Sequence, residues 1–188
     1  MKKLLFVILL VLSACVEQPV KNDPTVHKTQ LELIPLTVGN TWTYVDKSTG
    51  KQVKSLVEKS QIIDGVEWFK YNEVGDSFWV RNRGLEQFEA IDFFNEDKIQ
   101  SSIENEALVL TTLTTEYMTP GVIKATSKPC SIPLKVPAGE FNCHIIQFEF
   151  GNNQFSKNYY AKGVGLIKNE FKADNKYTEI ELINYQLK

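Results

Sequence analysis

From Leu31 onward, short runs rich in β-branched and aromatic residues alternate with Gly, Asn and Asp turns, and no long stretch keeps a helical period. That pattern leaves an all-β fold, because each run can bury a face only by pairing with its neighbours. Gly39-Asn40 precedes Thr41–Val45. Ser48-Thr49-Gly50 is a turn before Gln52–Ile63, and Asp64-Gly65 is the strongest hairpin signal, since Asp-Gly accepts the positive φ of a type I′ turn. Val66–Tyr71, Ser77–Arg81 and Leu85–Phe88 follow, separated by Gly75-Asp76 and Asn82-Arg83-Gly84. Further strands are expected over Lys98–Ile103, Ala107–Leu113, Gly121–Thr126, Ile132–Val136, Phe141–Phe150, Ser156–Ala161, Leu166–Phe171 and Tyr177–Tyr185. Phe88–Asp97 fits either extended chain or a short helix with Phe88, Ile91 and Phe94 on one face.

Consecutive hairpins make an antiparallel meander. Open twisted sheets rarely exceed about ten strands, so a meander this long has to curl or split. The expected architecture is a strongly bent sheet or incomplete barrel, with a two-sheet sandwich as the alternative.

The chain opens Met1-Lys2-Lys3, continues with nine apolar residues from Leu4 to Leu12, and reaches Ser13-Ala14-Cys15. A basic start, a short apolar run and small residues at a cleavage point make a secretory signal. A membrane-spanning helix needs roughly 20 apolar residues, so this run is too short to be one. Leu12-Ser13-Ala14-Cys15 resembles the lipobox of bacterial lipoproteins. The resemblance implies cleavage before Cys15 and acyl chains on its thiol and its new amine, and two chains hold a protein stably at a membrane. Val16, where an Asp would favour the inner membrane, points by the same resemblance to the outer membrane if the source has one. The expected organisation is a signal peptide over 1–14, a lipidated Cys15 with a polar tether over 15–30, and one domain over 31–188. His27 lies in the tether, where a metal or catalytic role is not expected.

Removing Lys2 and Lys3 takes the 21 basic side chains to 19 against 23 acidic ones, a formal charge of −4. The charges are interspersed. Nucleic acid is not an expected partner, because phosphate binding needs a concentrated basic face. The expected attachments are the membrane, through Cys15, and an envelope protein or a hydrophobic ligand.

Two cysteines remain, Cys130 and Cys143. In an oxidising envelope two leftover thiols pair, whereas zinc would need closer ligand spacing than these and His144 provide. A hairpin centred on Ala138-Gly139 would set Cys143 opposite Leu134. A Cys130–Cys143 bridge therefore requires a bulge or bend, which Pro129 and Pro133 can supply.

Motifs for chemistry are weak. Cys143-His144 is a thiol–imidazole neighbour pair, but successive strand side chains point to opposite faces. Lys162-Gly163-Val164-Gly165-Leu166 starts like a nucleotide loop and then has Lys168 where the last glycine should be, so a turn or bulge is expected. Val136-Pro137-Ala138-Gly139-Glu140-Phe141 reads as a hairpin loop. Asp92, Glu96, Asp97, Glu104 and Glu106 could in principle pair as acid and base, but solvated turns account for them. No catalytic residue, metal or cofactor is expected, and an enzyme, such as a hydrolase, is the distant alternative.

Three segments together resemble a group of bacterial secreted proteins and lipoproteins with a long antiparallel sheet: Pro35-Leu36-Thr37-Val38-Gly39-Asn40-Thr41-Trp42-Thr43-Tyr44, the Val136–Phe141 loop, and Tyr159-Tyr160-Ala161-Lys162-Gly163-Val164-Gly165-Leu166-Ile167-Lys168. No functional residues follow from it. The expected bent sheet is also similar to the LolA-like lipoprotein carriers, which hold acyl chains on a concave apolar face. The expectation is a non-catalytic envelope lipoprotein that binds a ligand or partner on a curved sheet, or alternatively a structural or assembly accessory of the envelope. Candidate ligand-binding residues are Trp42, Tyr44, Trp68, Phe78 and Phe148, with Trp42 and Tyr44 on one face and Ile146 and Phe148 on one face.

Overall fold

The computed structural model describes residues 32–63, 65–90, 106–119, 121–174 and 176–188. The expectations for Cys15, the tether, Asp64, the Lys98–Ile103 strand and most of Phe88–Asp97 fall outside them. The described residues form fourteen strands and no helix. β1 (Thr41–Asp46), β2 (Gln52–Ile63), β3 (Val66–Glu73), β4 (Asp76–Arg83) and β5 (Glu86–Ala90) come first. β6 (Glu106–Thr111), β7 (Glu116–Tyr117) and β8 (Lys124–Pro129) follow. β9 (Leu134–Val136) and β10 (Gly139–Phe141) make a small hairpin of their own. β11 (His144–Gly151), β12 (Gln154–Ala161), β13 (Gly165–Ala173) and β14 (Lys176–Gln186) complete the chain.

Twelve of these strands form one sheet in the order β6-β5-β4-β3-β2-β1-β14-β13-β12-β11-β8-β7. Every neighbouring pair is antiparallel, as hairpin connections require. The sheet curls until its two edges meet without a ladder between them. The Tyr117 hydroxyl on β7 donates to the Val109 carbonyl on β6 at 3.0 Å across that seam. The bent-sheet expectation holds as an incomplete barrel, and the sandwich alternative does not.

The β2–β3 hairpin turns between the paired residues Ile63 and Val66, with Gly65 at φ 77°. A side chain there meets no neighbouring atom, so a substitution acts through the backbone alone. Gly65→Val is expected to cost about 1–2 kcal/mol, because a β-branched residue resists positive φ. A denaturant midpoint equal to wild type would show that the turn tolerates the change.

One end of the barrel is sealed. The segment before β1 buries Leu33, Ile34 and Leu36 beneath Trp42 and Leu166. Side chains tie it down: Asn40 donates to the Pro35 carbonyl at 2.9 Å, and Asn82 to the Ile34 carbonyl at 2.7 Å. The Trp42 indole N–H donates to the Val164 carbonyl at 2.6 Å, and its ring stacks edge-on to Tyr71 at 5.8 Å. Lys162–Gly165 is the β12–β13 turn, with Gly163 at φ 73° and Gly165 at φ 103° packed against Trp42. It is the turn the sequence suggested and not a phosphate loop.

The β9–β10 hairpin joins the same core through Val136, and the Ala138 N–H donates to the Leu182 carbonyl at 3.0 Å. Cys130 and Cys143 are disulfide-bonded, with Cα atoms 5.3 Å apart. They face each other because they extend the β8–β11 ladder by one rung beyond the Pro129–His144 pair. The small hairpin follows a different register, with Phe141 opposite Leu134. The change of register between the two ladders is the irregularity that the bridge requires.

Candidate functional site

Toward the other end, where β1–β2, β3–β4, β11–β12 and β13–β14 turn, the barrel holds a cavity of about 600 Å³ that is open to solvent. That size falls within the usual range of small-molecule sites. Much of its wall is aromatic and aliphatic: Phe78, Phe148, Phe150, Phe171, Val109 and Ile180. These reach the interior by strand alternation, as Phe78 and Val80 do on β4 and Phe148 and Phe150 do on β11. The Phe150 and Phe171 rings meet edge-on at 6.5 Å, and Tyr117 braces Phe148 at 6.4 Å.

The polar part of the wall divides in two. On β12 and β13 the groups satisfy one another. Asn169 Nδ2 donates to Asn158 Oδ1 at 2.6 Å and to Ser156 Oγ at 2.9 Å. On β3, β4 and β5 they do not. Glu73, Asp76, Gln87 and Glu89 all line the cavity, and none of these side chains has a hydrogen-bond or ion-pair partner among the described residues. Gln87 is 5% exposed, and its Nε2 is buried without an acceptor. Glu73 is packed deep among protein atoms while keeping access to the cavity. Burial first, then the charges of Glu89 and Asp76, push its carboxyl up to about 7. Burial also raises Glu89. Three buried tyrosines, Tyr44, Tyr71 and Tyr160, sit within electrostatic reach of Glu73, and their phenols are held well above the ordinary value chiefly by burial. Asp46, the fourth acid of the wall, turns its Oδ1 to the Ser48 N–H and hydroxyl at 2.8 and 2.6 Å.

Two of the five candidate ligand-binding residues, Phe78 and Phe148, line the cavity. Trp42 and Tyr44 share the inner face but lie in the packed core near the sealed end, 1% and 0% exposed. Trp68 does not join them. On β3 the inward positions are Phe69, Tyr71 and Glu73, so Trp68 falls on the opposite face, where it packs with Ile63, Trp79 and Ala90. Arg81 stacks over the Trp68 and Phe88 rings there and bonds both oxygens of Glu106 at 2.7 and 2.6 Å. Alternation missed Gln87 and Glu89 for the same reason: β5 points Phe88 outward and its polar residues inward. Glu73 had a signal, since it continues the inward alternation of Phe69 and Tyr71.

Cys143 has its sulfur in the disulfide, and the half-buried ring of His144 has its pKa lowered by desolvation. Among the described residues no cluster of His, Cys, Asp and Glu is spaced to hold a metal ion, and no helix is long and apolar enough to cross a membrane.

The structure is an open antiparallel barrel with an internal, acid-bearing chamber. No protein-family model and no curated protein matches the chain. Among solved structures it is similar to a Bacteroides fragilis protein described as exported and as having a YmcC-like fold, at 11% identity and a TM-score of 0.48. It is also similar to a Parabacteroides distasonis protein described as a lipoprotein, at 12% identity and a TM-score of 0.42. Each alignment covers 82% of this chain and 98% of the other.

Proposed function

We infer that the protein is a non-catalytic lipoprotein of the cell envelope, anchored through Cys15, that holds a ligand with an apolar body inside its curled sheet. The observation that carries the reading is the roughly 600 Å³ cavity walled by Phe78, Phe148, Phe150 and Phe171. Burying apolar ligand surface against such walls contributes about 25 cal/mol per Å² before the costs of association. A non-catalytic role is supported by the disulfide, which removes the Cys143 thiol as a nucleophile. An envelope location is supported by the signal and Leu12-Ser13-Ala14-Cys15.

The neutral dye nile red, titrated into the full chain, is expected to bind saturably at one site. Phe148→Ala should weaken it by about tenfold, the scale of about 1.4 kcal/mol of lost contact. Ile62→Ala, at a side chain 70% exposed outside the barrel, should leave it unchanged. Absence of saturable binding would remove the ligand reading and leave the structural or assembly role in its place.

The anchor has its own test. Cys15→Ala should accumulate as unprocessed precursor and take up no labelled fatty acid. Wild-type processing and acylation of that variant would refute the lipoprotein assignment.

A further inference from the structure

We propose that the chamber selects an organic cation, an apolar body carrying an ammonium group and a neighbouring hydrogen-bond acceptor, whose charge Glu73 and Glu89 balance and to whose acceptor Gln87 Nε2 donates. The proposal rests on the cavity reading above and names the chemistry of its ligand.

The first support is the sign of the wall. Among the described residues that line it the charged ones are Asp46, Glu73, Asp76 and Glu89, with no Lys, Arg or His. Elsewhere the protein neutralises its half-buried acids: Glu106 with Arg81, and Glu170, Glu179 and Glu181 with Lys168. Inside the chamber the half-buried Glu73 and Glu89 have no cationic partner among the described residues, and an unpaired buried charge is costly. Asp46 is engaged by its own turn, which leaves the β3–β5 wall as the charged pole.

The second support is independent of charge. Gln87 is nearly fully buried, lines the same cavity and has a free Nε2 donor. A buried amide donor without an acceptor costs about 1–3 kcal/mol, a defect that a bound acceptor relieves. Gln87 and Glu89 are two residues apart on β5 and therefore share the inward face. One molecule could thus meet both.

The third support is the shape of the chamber. The apolar rings of Phe148, Phe150 and Phe171 lie on β11 and β13, across the barrel from the acids of β3 and β5. A ligand with one cationic end and one apolar end matches that division. Tyr71 and Phe78 line the wall beside the acids, and aromatic faces also attract ammonium groups. An inorganic cation fits poorly, because the carboxylates are not spaced as a ligating cluster.

The test uses three molecules of one shape: phenylbutylamine, phenylbutanol and phenylbutanoate. Each is titrated calorimetrically into the full chain at about pH 8. The amine is expected to bind at least about tenfold more tightly than the alcohol, with the carboxylate weakest. Glu73→Gln and Glu89→Gln should each cut the amine's advantage over the alcohol by about threefold or more, while Ile62→Ala, outside the barrel, leaves it unchanged. Gln87→Leu should weaken the alcohol, whose hydroxyl oxygen accepts from Nε2, more than the amine, whose ammonium has no acceptor. Equal affinities for amine and alcohol, or a preference for phenylbutanoate, would overturn the cation assignment while leaving the apolar cavity intact. Displacement of the amine by millimolar calcium would instead assign the acids to an inorganic ion and equally overturn it. If neither nile red nor any of the three binds, the cavity reading falls together with this one.

Discussion

Glu73→Gln is expected to stabilise the ligand-free protein at about pH 8 by about 1–3 kcal/mol and to change nothing near pH 4. The carboxyl is ordinarily near 4.5 and in the fold is pushed up to about 7. Between those values the folded chain holds a proton that the unfolded chain has released. Stability therefore falls as pH rises from about 4.5 through 7, and the whole penalty is present above that range. Among the described residues the titratable groups facing Glu73 are Asp76, Glu89, Tyr44, Tyr71 and Tyr160, and none of them supplies positive charge. A shift of that size corresponds to about 3 kcal/mol, and water in the cavity reduces it. The neutral amide escapes the penalty. In a chain of this size the midpoint should rise by roughly 2–4 °C for each kcal/mol. Melting curves from about pH 4 to 8 check this: the wild-type slope should flatten in the variant. A variant less stable than wild type at pH 8 would mean that the Glu73 carboxylate is compensated inside the ligand-free fold. An ammonium ligand should reverse the wild-type trend, stabilising most where Glu73 is ionised.

Opening the Cys130–Cys143 bridge is expected to cost about 3 kcal/mol, the loop-closure value for a sequence separation of 13. The two cysteines hold together the roots of an excursion that carries Val136 into the core and reaches Leu182 through Ala138. Without the bridge the excursion keeps those contacts but has more freedom to lose on folding. The Cys130→Ser, Cys143→Ser double variant and the reduced wild type should show the same lowered denaturant midpoint. Thiol counting on unreduced, denatured protein should find neither cysteine reactive. An unchanged midpoint would show that the excursion is held by packing alone.

These two effects differ in how far the chain announces them. The bridge was legible as a pairing of two leftover thiols, but its geometry was not. A hairpin centred near Gly139 sets Cys143 away from Cys130, and the sequence does not show that two ladders in different registers meet there. Glu73 was overlooked although it sits two residues beyond Tyr71. Nothing in a single strand says that an acid at its end faces a cavity and not solvent.

What the sequence determined by itself is local. Gln52–Ile63 is a strand over those very residues, and Gly65 turns it into Val66. Glycine supplies positive φ cheaply, and β-branched and aromatic residues favour extended chain, so strands and turns can be read from neighbours in the chain. The all-β meander and its need to curl follow from the same facts. The tertiary structure decided which face of each strand is inside. Alternation divides a strand into two faces; where both carry large apolar residues, as with Trp68 against Phe69, its rule has no sign, and on β5, where Phe88 faces out and Gln87 in, it points the wrong way. The neighbouring strands supply that sign. Phe69 and Val80 form a pair inside, whereas Trp68 and Trp79 lie outside. The register that places them carries Gln87 and Glu89 into the chamber. Its acid wall is thus a property of twelve strands in register, because facing is settled only when each strand is paired with its neighbours in the sheet.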